Sequence, residues 1–442
     1  MKQRNIKHEK RLKKLVLTCL LLAVVLTVGT YAWFIGMQTV SVEAFEVKIA
    51  AVEDLALSID ASTWGSTLTI SEDALKNNDY AKTTYAWTSL KPVSTVGVVN
   101  ADTSKMVMYD KGSLTATDGG YRLMSALVTN AAATRDESTG AVTAINEQDG
   151  YVAFDLFIKN MSGDAYYGGD DASIDKEEAI YLDRDSKVTA GSTGYTNSGI
   201  QNSVRIAFAQ IGHVKSDAAA SLAQQIDCKV VKDGVTTLCS EKTATIYEPN
   251  DTKHTAAAIK WYDTTCFKRT NKTTYDTAVG CKTITDGENT NELIDGKFLP
   301  TYAVSGVIDE TAQVDVYDGL NGYSDSVSTS AADNKLVAVD TFTDTERDKV
   351  GTARPEFFTL APNSITKVRV YLYLEGQDVD NFDFASLGYS ISAQFGFTKE
   401  RFTPGDSATD PIISKSEYDA AVSKNVAANS SSAAATSAVT GS

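Results

Sequence analysis

Ile365-Thr-Lys-Val-Arg-Val-Tyr-Leu-Tyr-Leu-Glu375 alternates apolar and polar side chains more cleanly than any other stretch of this 442-residue chain. Side chains of an extended strand point to opposite faces in turn. Val368, Val370, Leu372 and Leu374 therefore share a core-facing side, and Lys367, Arg369, Tyr371, Tyr373 and Glu375 share a solvent-facing one. Gly388–Phe397 repeats the pattern, with Tyr389, Ile391, Ala393, Phe395 and Phe397 on one side. Further back, Tyr151–Ile158 sets Val152, Phe154, Leu156 and Ile158 against Ala153, Asp155 and Phe157. Ser203–Ile211 sets Val204, Ile206 and Phe208 against Arg205, Ala207 and Ala209. Shorter strand signals fall at Leu55–Ile59, Leu68–Ile70, Thr84–Leu90, Tyr121–Val128, Ala179–Leu182, Thr301–Val307 and Lys335–Val339, with Pro92 ending the third or marking an edge. Strands joined by short turns, without alternating helices, predict an all-β chain folded as an antiparallel β-sandwich, jelly-roll-like by preference.

Composition agrees. Apolar residues make up 43% and charged residues 22%, the balance of a chain that buries a core. Tyrosine, valine and threonine are plentiful, and such side chains fit a pleated, half-buried surface. The formal charge of -16 is set partly by the basic N-terminus: residues 1–32 hold seven basic residues and one acidic, so their removal leaves -22. A chain that acidic repels nucleic acid and anionic lipid.

Leu15–Gly36, LVLTCLLLAVVLTVGTYAWFIG, follows Lys2, Arg4, Lys7, Lys10, Arg11, Lys13 and Lys14. A basic segment, an apolar run and then small residues give the layout of a secretory signal, cut between Ala32 and Trp33. Extended through Ile35 the run is also long enough to span a bilayer as an uncleaved anchor, with Tyr31, Trp33 and Phe34 at the interface. Both readings export the remainder, to the cell surface or the extracellular space, and contact with membrane is confined to residues 15–36.

Val28-Gly-Thr-Tyr-Ala-Trp-Phe34 resembles the signal end of the SipW-dependent secreted proteins, the TasA, CalY and camelysin group. Ile35-Gly36-Met37 stands where that group carries polar residues. The resemblance implies a dedicated signal peptidase, a β-sandwich that begins at once, and a structural role in the surface or biofilm matrix. It also implies fibres built by donating the freed N-terminal strand to a neighbour's sheet, which is β-augmentation. Val40–Ile49 is that strand, with Val40, Val42, Ala44, Phe45, Val47 and Ile49 as candidate donor residues. Its alternation slips at Ala44-Phe45, which predicts that the two halves face opposite ways. With no element before it once the signal is gone, the strand is expected to leave its own sheet at low cost.

Cys19 lies in the N-terminal segment, leaving Cys228, Cys239, Cys266 and Cys281. An even number in an exported chain suggests disulfides, with metal binding as the alternative. Asp233-Gly234 is a type I′ turn signal, and Cys228 and Cys239 lie at equal distances from it. A hairpin there would hold them about 5.5 Å apart, within reach of a disulfide; Cys266 with Cys281 follows by elimination. The predicted organisation is a signal or anchor at 1–32, a core at 33–213 and 300–398, a Cys-containing insertion at 214–299, and a short helix with a disordered Ala/Ser/Thr-rich tail at 399–442.

Catalytic motifs are missing: there is no His-Glu-x-x-His, no Gly-x-Ser-x-Gly and no phosphate-binding Gly-rich loop. A non-enzymatic protein without a cofactor is expected. Glu375, Asp378, Asp380 and Asp383 crowd one turn and are the candidate calcium ligands, against the reading of a solvated loop. Asn160-Met-Ser is a formal glycosylation sequon. Two functions follow. One is a structural surface or matrix protein that forms homo-oligomers or fibres. The other is a carbohydrate- or receptor-binding module, with Tyr371 and Tyr373 beside Arg369 stacking on a cell-surface glycan.

Overall fold

The alternating stretch around Val370 forms a twelve-residue strand, Ser364–Glu375, in the middle of the larger of two packed sheets. The computed structural model describes residues 40–49, 54–112, 125–128, 150–163, 165–169, 172, 176–191, 198–229, 234–239, 242–249, 255, 258, 302–304, 336–376, 378, 380–381 and 389–401. The predicted signal or anchor, Cys266, Cys281, Asp383 and the C-terminal tail lie outside these residues.

The strands are, in chain order, β1 (Ser41–Ile49), β2 (Leu55–Ser58), β3 (Thr67–Ile70), β4 (Ala86–Trp87), β5 (Pro92–Ser94), β6 (Val99–Asn100) and β7 (Lys105–Met106). Next come β8 (Tyr109–Gly112), β9 (Ser125–Val128), β10 (Val152–Asn160), β11 (Glu178–Leu182), β12 (Lys187–Ala190) and β13 (Val204–Lys215). The remainder are β14 (Thr236–Thr237), β15 (Thr245–Glu248), β16 (Tyr302–Val304), β17 (Leu336–Ala338), β18 (Phe342–Thr343), β19 (Phe358–Leu360), β20 (Ser364–Glu375) and β21 (Ser390–Thr398). Among the described residues three short α-helices accompany them: α1 (Glu72–Lys76), α2 (Ala220–Gln224) and α3 (Asp344–Arg347).

Sheet A runs β19-β11-β21-β1-β3, with β12 also on β21. Sheet B is built on β20, flanked by the antiparallel strands β13 and β10. The sheets are mixed, because β1 lies parallel to β21, β5 to β20 and β18 to β15. Pro92 opens β5 rather than closing a strand, a position where its missing N–H costs nothing.

The core between the sheets holds the side chains that alternation assigns to it. Val152, Phe154, Leu156 and Ile158 of β10, Val204, Ile206 and Phe208 of β13, and Val368, Val370, Leu372 and Leu374 of β20 come from sheet B. Ile391, Ala393, Phe395 and Phe397 of β21 meet them from sheet A. Phe208 is the hub, with ring centroids 5.1–5.9 Å from Phe357, Phe395 and Phe397.

The other face of sheet B departs from the expectation of a solvent-facing side. Every residue of β20 is buried, Lys367, Arg369, Tyr371, Tyr373 and Glu375 included. A second apolar cluster lies there, in which Phe157 and Ala207 of the sheet, with Tyr151, are covered by the β6–β7 hairpin (Val99, Met106), Met108 and the α2 segment (Ala223, Ile226). The Met106 N–H donates to Tyr371 Oη at 2.9 Å, tying the cover to the sheet.

The expectation of a separate insertion at 214–299 is corrected for its first part. β14 pairs with Gly212 and His213, β15 pairs with Ile206–Phe208, and Ile246 and Tyr247 are buried. Close approach explains Gly212: a Cβ there would lie 2.4 Å from the Thr236 carbonyl oxygen. Cys228 and Cys239 are joined, with Cα atoms 5.5 Å apart. Gly234 has the φ of +85° that its turn requires. The strand after the turn pairs with β13, so sheet B also holds Cys239 in place.

Candidate functional site

β1 is the candidate assembly element, and its position follows from its sequence. It lies between β21 and β3, hydrogen-bonded on both edges. Val40, Val42, Phe45, Val47 and Ile49 are buried in the core, while Ala44 is half-buried. The Phe45 ring stacks 5.6 Å from Phe395 and lies 5.2 Å from Phe154 on sheet B.

The phase slip does not turn the second half outward, which corrects that expectation. The register with β21 shifts between Val42 and Ala44, a β-bulge that absorbs one residue and keeps both halves on the core face. Glu43 is the extra residue, and its carboxylate accepts from Ser390 Oγ at 2.6 Å on the outer face. On that face, too, Lys48 is paired to Asp183 and Asp185 at 3.2 and 3.1 Å. β1 is thus held by one apolar face and two ladders, with its other face wet. A strand placed in this way does not leave its own sheet cheaply, contrary to expectation. Withdrawal exposes five buried apolar side chains, at about 1.5–3 kcal/mol each.

Of the candidate calcium ligands, Glu375, Asp378 and Asp380 are described, and they serve other partners. Arg205 Nη2, fully buried, lies 2.7 Å from Asp378 Oδ2 and 2.5 Å from Glu248 Oε1. Burial disfavours the guanidinium charge, but Glu248, Asp378 and Glu375 more than offset this, and its pKa is raised. The guanidinium therefore stands where a cation would be needed. Asp380 accepts from the Thr255 N–H at 3.3 Å. Among the described residues no group of three or more His, Cys, Asp or Glu side chains is arranged to hold a metal ion.

Tyr371 and Tyr373, offered as a sugar-stacking pair, are 0% and 1% exposed, so no sugar ring reaches them. Asn160 of the sequon is fully buried and donates to the Ala361 carbonyl oxygen at 3.1 Å, out of reach of a glycosylating enzyme.

Two polar clusters gave no signal in the sequence alone. Asp155 on β10 sits opposite Arg369 on β20, with Lys367 two pairs further along, all three on the covered face of sheet B. Burial works against ionised Asp155, but Lys367 and Arg369 overcome it and its pKa is lowered. Their opposite charges stand at matching positions of two strong strands, a match visible only once the register is known. The second cluster is His213, whose Nδ1 lies 2.9 Å from Tyr166 Oη. Burial, with Lys242 adding to it, pushes its pKa down to about 4.

No helix among the described residues is long and apolar enough to cross a membrane. Compared with known proteins, the chain matches no family model, no curated protein and no solved structure.

Proposed function

We propose that this chain is an exported, non-enzymatic structural protein of the cell surface or extracellular matrix, and that copies assemble by exchanging β1. The observation that carries the reading is the slot of β1. It is the first described strand, it fills a gap between β21 and β3, and an identical strand from a second copy would satisfy the same ladders and the same core. Exchange is then nearly neutral at equilibrium, because each hydrogen bond and each buried side chain given up at home is recovered in the neighbour. Only residues 50–54 separate β1 from β2, and short connections favour exchange between copies. The large cost of withdrawing a folded strand makes exchange slow in a finished monomer. Assembly is therefore coupled to export, while β1 emerges behind the signal and has not yet folded home.

Two further features support the reading. The Gly29-Thr-Tyr-Ala-Trp-Phe34 end resembles the signals of the TasA, CalY and camelysin group. A Cys228–Cys239 disulfide suits an oxidising compartment. The carbohydrate-binding alternative loses its aromatic pair to the core.

The test is to unfold the purified chain without residues 1–32 in urea, refold it at high concentration and image it by negative-stain microscopy, beside a Glu46→Cys/Thr69→Cys variant oxidised or reduced before unfolding. Those positions face each other across β1 and β3. Oxidation locks β1 at home, so polymers are expected from the parent chain and from the reduced variant, and monomers from the oxidised one. Polymers that form equally well when locked would rule out strand exchange.

A further inference from the structure

The Asp155 cluster brings an amine and a carboxyl group together in a dry site. Asp155 and Lys367 stand diagonally across the antiparallel β10–β20 ladder, with Phe157 opposite Lys367. Lys367 Nζ lies 3.4 Å from Asp155 Oδ2. The Asp155 residue is 3% exposed and Lys367 9%. The rings of Tyr80 and Phe157 flank the amine, with centroids 5.7 and 6.0 Å away. The Gln224 and Ile226 carbonyl oxygens accept from Nζ at 3.1 and 3.0 Å and fix its position.

The carboxyl group is held asymmetrically. Oδ2, the oxygen nearest the amine, accepts from Tyr80 Oη at 2.7 Å. Oδ1 accepts no hydrogen bond and lies 3.5 Å from Arg369 Nε.

We propose that Lys367 and Asp155 condense into an isopeptide bond that joins β10 to β20 covalently. Lys367 Nζ attacks Asp155 Cγ, the C–N bond forms, and the C–Oδ2 bond breaks. Two of the three ammonium protons leave with Oδ2 as water and the third stays on the amide nitrogen, so atoms and charge balance without any co-reactant. Each neighbour has a place in that step. Tyr80 is hydrogen-bonded to the departing oxygen and can relay a proton to it. The Arg369 charge lies beside Oδ1, where negative charge develops in the tetrahedral intermediate. Burial pushes the Lys367 ammonium pKa down despite the opposing pull of Asp155, favouring the free amine that attacks. The three charged groups sum to one positive charge before reaction, and Arg369 alone carries the same charge afterwards. Condensation therefore removes two buried charges without leaving a new imbalance, and a dry pocket favours loss of water.

The experiment is intact-mass spectrometry of the folded full chain after reduction and denaturation, followed by peptide mapping. The expected mass is lower than the sequence mass by one water, with a branched peptide linking Lys367 to Asp155. The Lys367→Arg variant keeps the positive charge but has no primary amine, and it should return to the unmodified sequence mass while folding to the same circular-dichroism spectrum. Tyr80→Phe should slow the appearance of the branched peptide. A folded parent chain at full sequence mass would overturn the proposal, as would a water deficit that maps to an Asp-Gly succinimide instead.

Discussion

β1 and β20 are both central strands with alternating sequences, yet they are held in different ways. β20 is buried along its whole length, with an apolar core on one face and a charged, aromatic cluster under a covering layer on the other. β1 has the core on one side and a partly exposed polar face on the other, where Glu43, Lys48 and Ser392 lie. The difference teaches which strand can move. Removing β20 would break two cores and several buried ion pairs; removing β1 breaks one core, which the same strand of another copy can rebuild.

The largest effect that sharpens this contrast is expected from Val47→Asp. It places an unpaired carboxylate in the core and should cost about 4–5 kcal/mol in a urea titration. Glu46→Val, one residue away on the wet face, should stay within about 0.5 kcal/mol. Because the bulge puts Val42 and Val47 on the same side, aspartate at either position damages the chain's own fold and does not leave a soluble, assembly-deficient monomer. Equal effects at 46 and 47 would break the one-face description of β1.

On β20's covered side, the ion pairs set the cost. Arg205→Met leaves Glu248 and Asp378 buried without their partner and should destabilise by about 3–5 kcal/mol in the same titration. Adding Glu248→Gln and Asp378→Asn should recover most of that deficit. Little effect from the single change would mean that this face is solvated after all.

Acid provides the third comparison. His213 on β13 takes up a proton near pH 6.5 when unfolded and near pH 4 when folded, so the unfolded state binds more protons across that window. Stability should therefore fall as pH drops from 6.5 to 4, by up to about 3 kcal/mol. Asp60 adds a second decline below pH 3.8: burial raises its pKa, but the N–H groups of Thr63 and Ser62 hold it at about 2. Urea midpoints measured across this range should flatten between pH 6.5 and 4 in His213→Gln.

How much of this was legible depends on period and on partners. The inner faces of β10, β13, β20 and β21 could be read because apolar alternation repeats over several residues in each. The covered face of sheet B could not: Lys367 and Arg369 look solvent-facing until Asp155 is placed opposite them, and the cover comes from short, aperiodic segments such as 99–108 and 220–226. The slip in β1 fits either a flip or a bulge, and only its pairing with β21 decides between them. The link between Cys228 and Cys239 was legible through their turn, although sheet B fixes one of them.

The exchange of β1 between copies is tested most directly by splitting the lock between two chains. One population carries Glu46→Cys alone and the other Thr69→Cys alone, and the two are mixed unfolded, refolded together and oxidised. If β1 of one copy fills sheet A of another, the introduced thiol on β1 of the first chain meets the introduced thiol on β3 of the second. Non-reducing electrophoresis with peptide mapping should then show that cross-chain disulfide throughout the polymers. Polymers that contain no such link, while the double variant closes readily within one chain, would contradict the account.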